Sequence, residues 1–315
     1  MRLSGLIRRT LRLGVTDVWS TLYNTINSTT SSKAHQKHKY KHIKIDDEES
    51  QFGDDHPPLH PLLTRRTLSH TMRLLLLIPL TILLTLFILA YIIYRPPNLL
   101  IKFLQWKNPS VIFHVPLPAS QRVIALTLDD APSSETGAIL DLLKAHNAKA
   151  TFFIIGSQVA RYPGVVERIH AEGHELGNHA MTDDPSFQLP LSELERQIGE
   201  VETHLPENAN RMKYFRPGSG WFNARMKERI ERLGYRLVLG GVYPHDPQIA
   251  RPRLNAWHVL SMVRPGSVVI MHDRRAYSAE QVGLVLKGMD ERGFKVESLG
   301  GLLTVAEAQK SKKAG

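Results

Sequence analysis

The chain has 315 residues, of which 42% are hydrophobic and 22% charged, a balance typical of a folded protein. Its formal net charge is +10, but the basic residues form no stripe with aromatic ones, so the sequence does not indicate a nucleic-acid-binding protein. It contains no cysteine, which excludes disulfides, thiolate zinc sites and cysteine nucleophiles. Any metal site must therefore be built from His, Asp or Glu.

The first segment, residues 1–73, is polar, basic and rich in Ser, Thr and His, without a helical or strand period. This composition predicts a disordered tail. Its His-rich tract (His35, His38 and His42) offers weak metal ligands, although we favour a solvated charged tail.

A long apolar run follows the tail, over residues 74–94, and contains no charged side chain. As a helix it would span roughly 30 Å, the thickness of a bilayer core, and Pro79 is tolerable within it. The alternative is a buried core helix, which seldom runs so long without polar residues. Tyr91 and Tyr94 lie at its end, where aromatic belts occur, so we predict a transmembrane helix.

The flanking charges give a weaker prediction of orientation. Arginines and lysines are balanced next to the span, but the longer N-terminal tail is basic. We therefore expect a single-pass type II membrane protein with a cytoplasmic tail and an extracellular or lumenal C-terminal part. After the span we expect a linker over 95–120, a folded domain over 121–305 and a C-terminal tail over 306–315.

Strand-like and helix-like segments alternate from residue 121 onward. Repeated strand–helix units predict a parallel sheet, closed into a barrel or open and doubly wound. The predicted strands cover residues 122–128, 150–155, 174–179, 213–216, 235–242, 267–271 and 294–299. The predicted helices cover residues 133–148, 157–173, 191–205, 223–234 and 278–293.

Polar clusters follow five of these strands, at the sheet edge where ligands bind in such folds. They read "LDDAP", "GNHAMTDDP", "RPGSG", "YPHDP" and "MHDR". His179 and Asp183 are four residues apart, which on a helix or tight turn puts both on one face. With a carboxylate from "LDD" they complete a three-ligand metal site, although alone the pair would be read as a hydrogen-bonded loop.

The remaining clusters offer acid–base and positioning groups. His272 ends an apolar strand, where it is either a core residue or a general acid. Arg216 can orient a carboxylate or form a surface salt bridge. Asp246 reads as a turn residue or a partner of another site residue. The backbone N–H groups from Gly218 onward can face a developing oxyanion.

Taken in order, "TLDDAP", "GNH…D", "FRPGSG" and "VVIMHD" resemble the polysaccharide deacetylases of the NodB-homology domain, carbohydrate esterase family 4, over about 121–300. The resemblance implies a distorted, incomplete (β/α) barrel of about seven strand–helix units. It implies hydrolysis of N-acetyl groups from a chitin-like or related glycan, and a divalent cofactor, zinc first and cobalt or manganese as alternatives.

The resemblance also implies roles for individual residues. Asp129 would be the general base, positioned by Arg216, and His272 the general acid. Asp246 would correspond to an aspartate that precedes the last strand of the motif set. The metal ligands would be Asp130, His179 and Asp183.

The chain departs from the family pattern at the metal site. Asp183 stands where a second metal-binding histidine is usual, with Asp184 as a rival ligand. Two carboxylates and one His cancel the charge of a divalent cation, which predicts a weaker Lewis acid and a wider choice of metal. Trp221 and Tyr243 would form an apolar wall for the substrate, or would simply pack.

The sequence therefore predicts a membrane-anchored, metal-dependent glycan deacetylase whose partner is an acetylated amino-sugar polymer. Two alternatives stay open. In the first, the same metal site cleaves another amide or ester. In the second, the membrane-anchored domain binds glycans without turnover. Because Asp129 and His272 are both present, the catalytic interpretation is favoured.

Overall fold

The computed structural model describes residues 70–314, and the predicted tail with its His-rich tract lies outside them apart from residues 70–73. Helix α1 (His70–Tyr94) contains the apolar run Leu74–Tyr94, whose mean hydropathy is 2.7. None of that run is buried against the rest of the protein, so it is not a core helix. Its length and composition make it a candidate membrane span.

Seven strands form one parallel sheet, as the alternation of segments predicts. Each predicted strand is observed, most of them shorter than the apolar runs suggest. The strands are β1 (Val123–Ala131), β2 (Ala150–Ile154), β3 (Glu175–Asn178), β4 (Lys213–Phe215), β5 (Tyr235–Leu237), β6 (Val268–His272) and β7 (Lys295–Glu297).

The sheet order is β5-β4-β3-β2-β1-β6, and β7 pairs with the first residues of β1. Beyond β5, Val242 forms a single parallel bridge to Val269 of β6, which brings the two ends of the sheet together without a full ladder. The result is the incomplete (β/α) barrel that the sequence predicts. All nine residues of β1 are buried, because the strand lies in the interior of the sheet with neighbours on both edges.

Helices cover the outside of the sheet. After α1 the helices are α2 (Asn98–Lys107), α3 (Thr136–Ala145), α4 (Gly156–Val159), α5 (Val165–Ala171), α6 (Leu191–Glu202), α7 (Ala224–Arg232), α8 (Pro252–Met262), α9 (Ser278–Glu291) and α10 (Leu299–Ala314). The predicted helix over 157–173 is divided into α4 and α5, since Pro163 and Gly164, with φ of 78°, interrupt it.

Two predicted boundaries need correction. The segment 95–120, expected to be a linker, contains α2, which packs Ile101 into the core. The segment 306–315, expected to be a tail, belongs to α10 as far as residue 314, and Ala306 is buried with Leu299 and Leu302 of the same helix. In both places a few buried apolar side chains attach the segment to the core, although most of its surface is polar or exposed.

Candidate active site

The adjacent acids Asp129 and Asp130 end the central strand, and both are buried. Side chains of a regular strand alternate between faces, but Asp130 has φ of 66° and the pairing with β2 shifts between Leu128 and Ala131. The left-handed residue breaks the alternation at the strand exit. The two carboxylates therefore enter the same region with different partners.

Asp130 meets His179 and Asp183, which lie in the loop after β3. One ligand atom from each residue lies within 4.8 Å of the others. The Nε2 atom of His179 is 3.9 Å from Asp130 Oδ1 and 3.7 Å from Asp183 Oδ1. Its Nδ1 atom lies 2.6 Å from the Arg216 carbonyl oxygen, so Nδ1–H donates there and leaves the Nε2 lone pair directed at the cluster.

This cluster fits a divalent metal on its own chemistry. Within residues 70–314, neither buried oxygen of Asp130 has a hydrogen-bond partner, an arrangement that is costly without a cation. Burial, together with the negative charge of Asp130, raises the pKa of Asp183. Arg274 Nη2, at 3.6 Å from Asp130, offsets part of this negative charge. Asp184 lies outside the cluster and accepts a hydrogen bond from the Thr182 hydroxyl.

Asp129 is held by a buried arginine. Arg216, 2% exposed, donates from Nη1 to Asp129 Oδ1 at 2.5 Å and to Thr127 Oγ1 at 2.8 Å. The guanidinium also lies over the ring of Phe153, 4.1 Å from its centroid. A buried arginine with these contacts fixes the position of the Asp129 carboxylate.

His272, at the end of β6, is paired with Asp246. Its Nδ1 lies 2.8 Å from Asp246 Oδ1, and its backbone N–H donates to Oδ2 at 2.9 Å. The Tyr277 hydroxyl donates to the Asp246 carbonyl oxygen and holds the loop. Burial lowers the pKa of His272, but the hydrogen bond and charge of Asp246 outweigh it, so the pKa is raised. Asp246 is thus a partner of His272 and not a simple turn residue.

Five of these groups line one cavity of about 620 Å³. Its lining includes Asp129, His179, Asp183, Arg216 and His272. Trp221, 70% exposed, and Tyr243 line it as well, and the Tyr243 ring meets the His272 ring edge-to-face at 5.8 Å. The sequence-predicted residues from four strand exits and the loop after β5 therefore converge.

The backbone N–H of Gly218, which we expected to face a developing oxyanion, already has a hydrogen-bond partner. Its N–H donates to Ser186 Oγ at 2.9 Å, so this donor is engaged in the structure. A side chain at Gly218 would meet the Asp184 carbonyl oxygen at 2.2 Å. The glycine allows the "RPGSG" loop to pack against the loop of Asp183, while Ser219 and Gly220 reach the cavity.

Sequence reasoning missed several residues that support the site. Ser186 and Thr127 bond to groups next to the cavity, but a lone hydroxyl in a sequence gives no signal. Asp273 is buried and accepts hydrogen bonds from Ser133 Oγ and Thr136 Oγ1. Burial raises its pKa to about 6. Asp273 and Arg274 directly follow His272, and that adjacency was the available clue.

Strained backbone is concentrated around the same cavity. Among the described residues other than glycine, four of the six with positive φ belong to the site loops: Asp130, Ala180, Ser219 and His245. Such residues cost free energy, and they accumulate where function demands a particular side-chain direction.

A histidine and two carboxylates that fit one cation, next to an Arg-held carboxylate and an Asp-held histidine, are typical of a metal-assisted hydrolase. Their location at the carboxyl ends of parallel strands is where (β/α) barrels carry active sites. The fold and the cavity together define this class.

Comparison with known proteins names the family. A sequence model described as polysaccharide deacetylase matches residues 117–238. A chitooligosaccharide deacetylase of Rhizobium leguminosarum bv. trifolii is 31% identical over 217 residues, which are 61% of this chain and 99% of the relative. The chain belongs to the polysaccharide deacetylase family, whose members are hydrolytic, metal-dependent deacetylases.

Other matches agree. A peptidoglycan-N-acetylglucosamine deacetylase of Bacillus cereus is 29% identical over 193 residues, 59% of this chain and 91% of the relative. The structure of peptidoglycan deacetylase PdaC from Bacillus subtilis covers 63% of this chain and 98% of its own, with 27% identity and a TM-score of 0.57. Some relatives are longer, and the chain spans 39% or 40% of their length.

Proposed function

We propose that this protein removes the N-acetyl group from an acetylated amino sugar in a glycan and releases acetate. The observation that carries the proposal is the convergence of Asp129, His272 and the cluster of Asp130, His179 and Asp183 on one cavity. Relatives named as deacetylases of peptidoglycan N-acetylglucosamine and of chitooligosaccharides share this sugar type, which supports the substrate class.

Asp130, His179 and Asp183 would hold the divalent metal, zinc before cobalt or manganese. When bound, such a metal polarises the acetyl carbonyl and lowers the pKa of water. The exchange of the usual histidine for Asp183 makes the ligand set more negative, so a harder, oxygen-preferring metal is also accommodated.

Asp129 acts as the general base through a carboxylate oxygen. Arg216 keeps this carboxylate in place through a charge-assisted hydrogen bond. The base takes a proton from the attacking water as the water oxygen bonds to the acetyl carbon.

His272 acts as the general acid. Asp246 accepts from Nδ1–H, so the proton to be given away is held on Nε2. Burial lowers the pKa of this ring, but the hydrogen bond and the negative charge of Asp246 raise it further, which favours the protonated acid. Transfer of this proton to the amide nitrogen lets the C–N bond break, leaving a free amine on the sugar and acetate.

Trp221 and Tyr243 would bind the apolar face of the sugar and the acetyl methyl. Both side chains line the cavity next to the reacting groups. Aromatic side chains at such a place also keep bulk water from the acetyl group.

Acetate release by the full chain in detergent, from acetylated chito-oligosaccharides, tests the function. It should need added zinc or cobalt, disappear with chelator, and fall by at least about a hundredfold in Asp129→Asn. Asp141→Asn, an exposed aspartate on α3, is the matched control and should retain activity.

Folded protein that binds metal and releases no acetate would indicate another amide or ester substrate. Folded protein that neither binds metal nor releases acetate would indicate a glycan-binding domain. Either result would contradict the proposal.

A further inference from the structure

The end of the candidate membrane span forms part of the active-site cavity. Ile93, in the last turn of α1, and Pro96, just after it, line the same cavity as Asp129 and His272. Ile101 and Leu104 of α2 extend this wall. One side of the cavity is therefore apolar and continues directly into the segment that enters the bilayer.

The span end is attached to the domain by specific contacts. The ring of Tyr94 lies 4.3 Å from that of His258 and 4.9 Å from that of His245. His245 Nε2 is 2.9 Å from the Tyr94 carbonyl oxygen. Arg95 donates to the hydroxyl and the carbonyl oxygen of Ser261 at 3.0 and 3.1 Å. These contacts fix where the span leaves the domain.

The loop that receives the span end also serves the chemistry. His245 lies between Tyr243, which lines the cavity, and Asp246, which holds His272. The end of the candidate span and the acid are thus joined through three nearly consecutive residues, which brings the reacting groups close to the end of that span.

Helix α2 presents an apolar face on its outer side. Leu99, Phe103 and Trp106 are 79%, 49% and 77% exposed, while Ile101 is buried and Gln105 bonds to the backbone of Phe113. These three exposed positions share one helix face by their spacing. Since α2 begins four residues after the span ends, its first turn lies within about 15 Å of the bilayer boundary.

A second apolar patch lies on α8. Leu254 and Trp257 are 43% and 58% exposed. They share a helix face with His258 and Ser261, the residues that contact the span end. Exposed tryptophans next to a span are typical of residues in the headgroup region. Both patches thus lie where a membrane surface covers them.

We propose that the substrate is an N-acetylated amino sugar carried on a membrane lipid. The sugar would enter the cavity from the bilayer surface, and the lipid-proximal part would lie along Ile93, Pro96, Ile101 and Leu104. A free polysaccharide needs polar partners along its hydroxyl-rich chain, which this apolar wall does not supply. A cavity of about 620 Å³ suits a small headgroup instead of a long glycan. This inference rests on the proposed deacetylase function.

The test uses the full chain in phosphatidylcholine vesicles. One substrate is a synthetic N-acetylglucosaminyl lipid in the same vesicles, and the other is soluble N-acetylated chitotriose. Wild type should deacetylate the lipid-borne sugar at least about tenfold faster at equal concentration. The double variant Phe103→Glu/Trp106→Glu should lower the ratio of lipid-borne to soluble rate by about tenfold.

Leu254→Glu/Trp257→Glu is a second, independent variant in case the first fails to fold, and it should lower the same ratio. Met212→Glu, at an exposed methionine that lines a separate cavity, is the matched control and should leave the ratio unchanged. Asp129→Asn provides the blank for both substrates.

The outcomes separate the two proposals. Equal or faster reaction with soluble chitotriose, or a ratio that neither double variant changes, overturns the lipid-borne substrate and leaves the deacetylase function intact. No acetate from either substrate, from folded and reconstituted protein, overturns the function and this inference with it.

Discussion

At the scale of single residues, the main feature of the site is that three negatively charged carboxylates lie close together. Asp129 and Asp183 line the cavity, Asp130 is buried beside them, and each carboxylate has different partners. Asp129 has Arg216, whereas Asp130 has no hydrogen-bond partner among the described residues and has Arg274 Nη2 only at 3.6 Å. Asp183 is less buried and its raised pKa reflects the same crowding. The metal proposal therefore rests on which carboxylate lacks a partner.

We predict that Asp183→Ala weakens zinc binding by at least about tenfold, because it removes one of three ligands. Asp184→Ala should bind zinc as wild type does, since Asp184 is bonded to Thr182 and lies outside the cluster. Calorimetric titration of metal-free protein measures both. Loss of binding in Asp184→Ala alone would mean that the ligand has been assigned to the wrong aspartate.

We predict that Asp246→Asn shifts the alkaline limb of the pH–activity profile to lower pH. The negative charge of Asp246 raises the pKa of His272, and the acid works only while protonated. Without that charge, His272 loses its proton at a lower pH, so the rate declines earlier as pH rises. The profile should be recorded for kcat across pH 5 to 9.

Asp290→Asn is the matched control for this profile. Asp290 also pairs with a histidine, His146, but on the exposed surface. Its removal should leave the alkaline limb unmoved. An unchanged limb in Asp246→Asn would assign the acid to another group.

At the scale of elements, the strands were predictable and three helices were not. The strands are fully or mostly buried on both faces, so they appear as continuous apolar runs. Helix α8 was not predicted because its pattern is the reverse of an ordinary surface helix. It buries Asn255 and His258 and exposes Leu254 and Trp257. Helix α2 was not predicted because it too exposes large apolar residues, three in number, instead of polar ones. Helix α10 was not predicted because its charged end resembles a polar tail.

The site residues that directly follow a predicted strand could be predicted from the sequence. Asp129, Asp130 and His272 follow apolar runs, and the pairing of His179 with Asp183 follows from spacing. The contact of Asp246 with His272 depends on a loop that returns across the sheet, which no local pattern encodes. The same holds for the engaged N–H of Gly218, which depends on Ser186 from another loop.

We predict that the fold loses stability as pH falls from about 6.5 towards 4, partly through His174. Burial, and then the charge of Lys149, lowers the pKa of this histidine to about 4, and its Nδ1 accepts the N–H of Ala150 in β2. The unfolded chain takes up a proton near pH 6.5 but the folded one does not. Acidification therefore favours unfolding, by up to about 3 kcal/mol from this group.

Thermal unfolding of His174→Asn against pH tests this effect. Its melting temperature should depend less steeply on pH than that of wild type over this interval, with the remaining slope owed in part to His114, whose burial also lowers its pKa to about 4. His204→Asn, at an exposed histidine, should keep the wild-type slope. Parallel curves for wild type and His174→Asn would show that His174 does not carry the effect.

At the scale of the whole molecule, we propose that the span anchors the catalytic domain on the extracellular or lumenal side. The contacts of Tyr94 and Arg95 hold the domain against the end of the candidate span in a fixed orientation. The anchor thereby determines which side of the domain faces the bilayer, in addition to which compartment holds it.

The absence of cysteine makes this orientation easy to test. We predict that Ser50→Cys, in the N-terminal segment, reacts with a membrane-impermeant maleimide in sealed microsomes. Ser311→Cys, at an exposed position of α10, should react only after detergent is added. Labelling in the opposite order would place the catalytic domain in the cytoplasm, and the cysteine-free wild type provides the background.

The position of β7 and α10 has a consequence for the biogenesis of the protein. Among the described strands β1 is made first, yet it pairs with β7 and is covered by Leu299 and Leu302 of α10, which are made after all the other described strands. The segment from β1 to α10 must therefore be synthesised before the central strand has all its neighbours, whereas α1 is made before β1. A nascent chain stopped before α10 would already carry the candidate span, but its core would be incomplete.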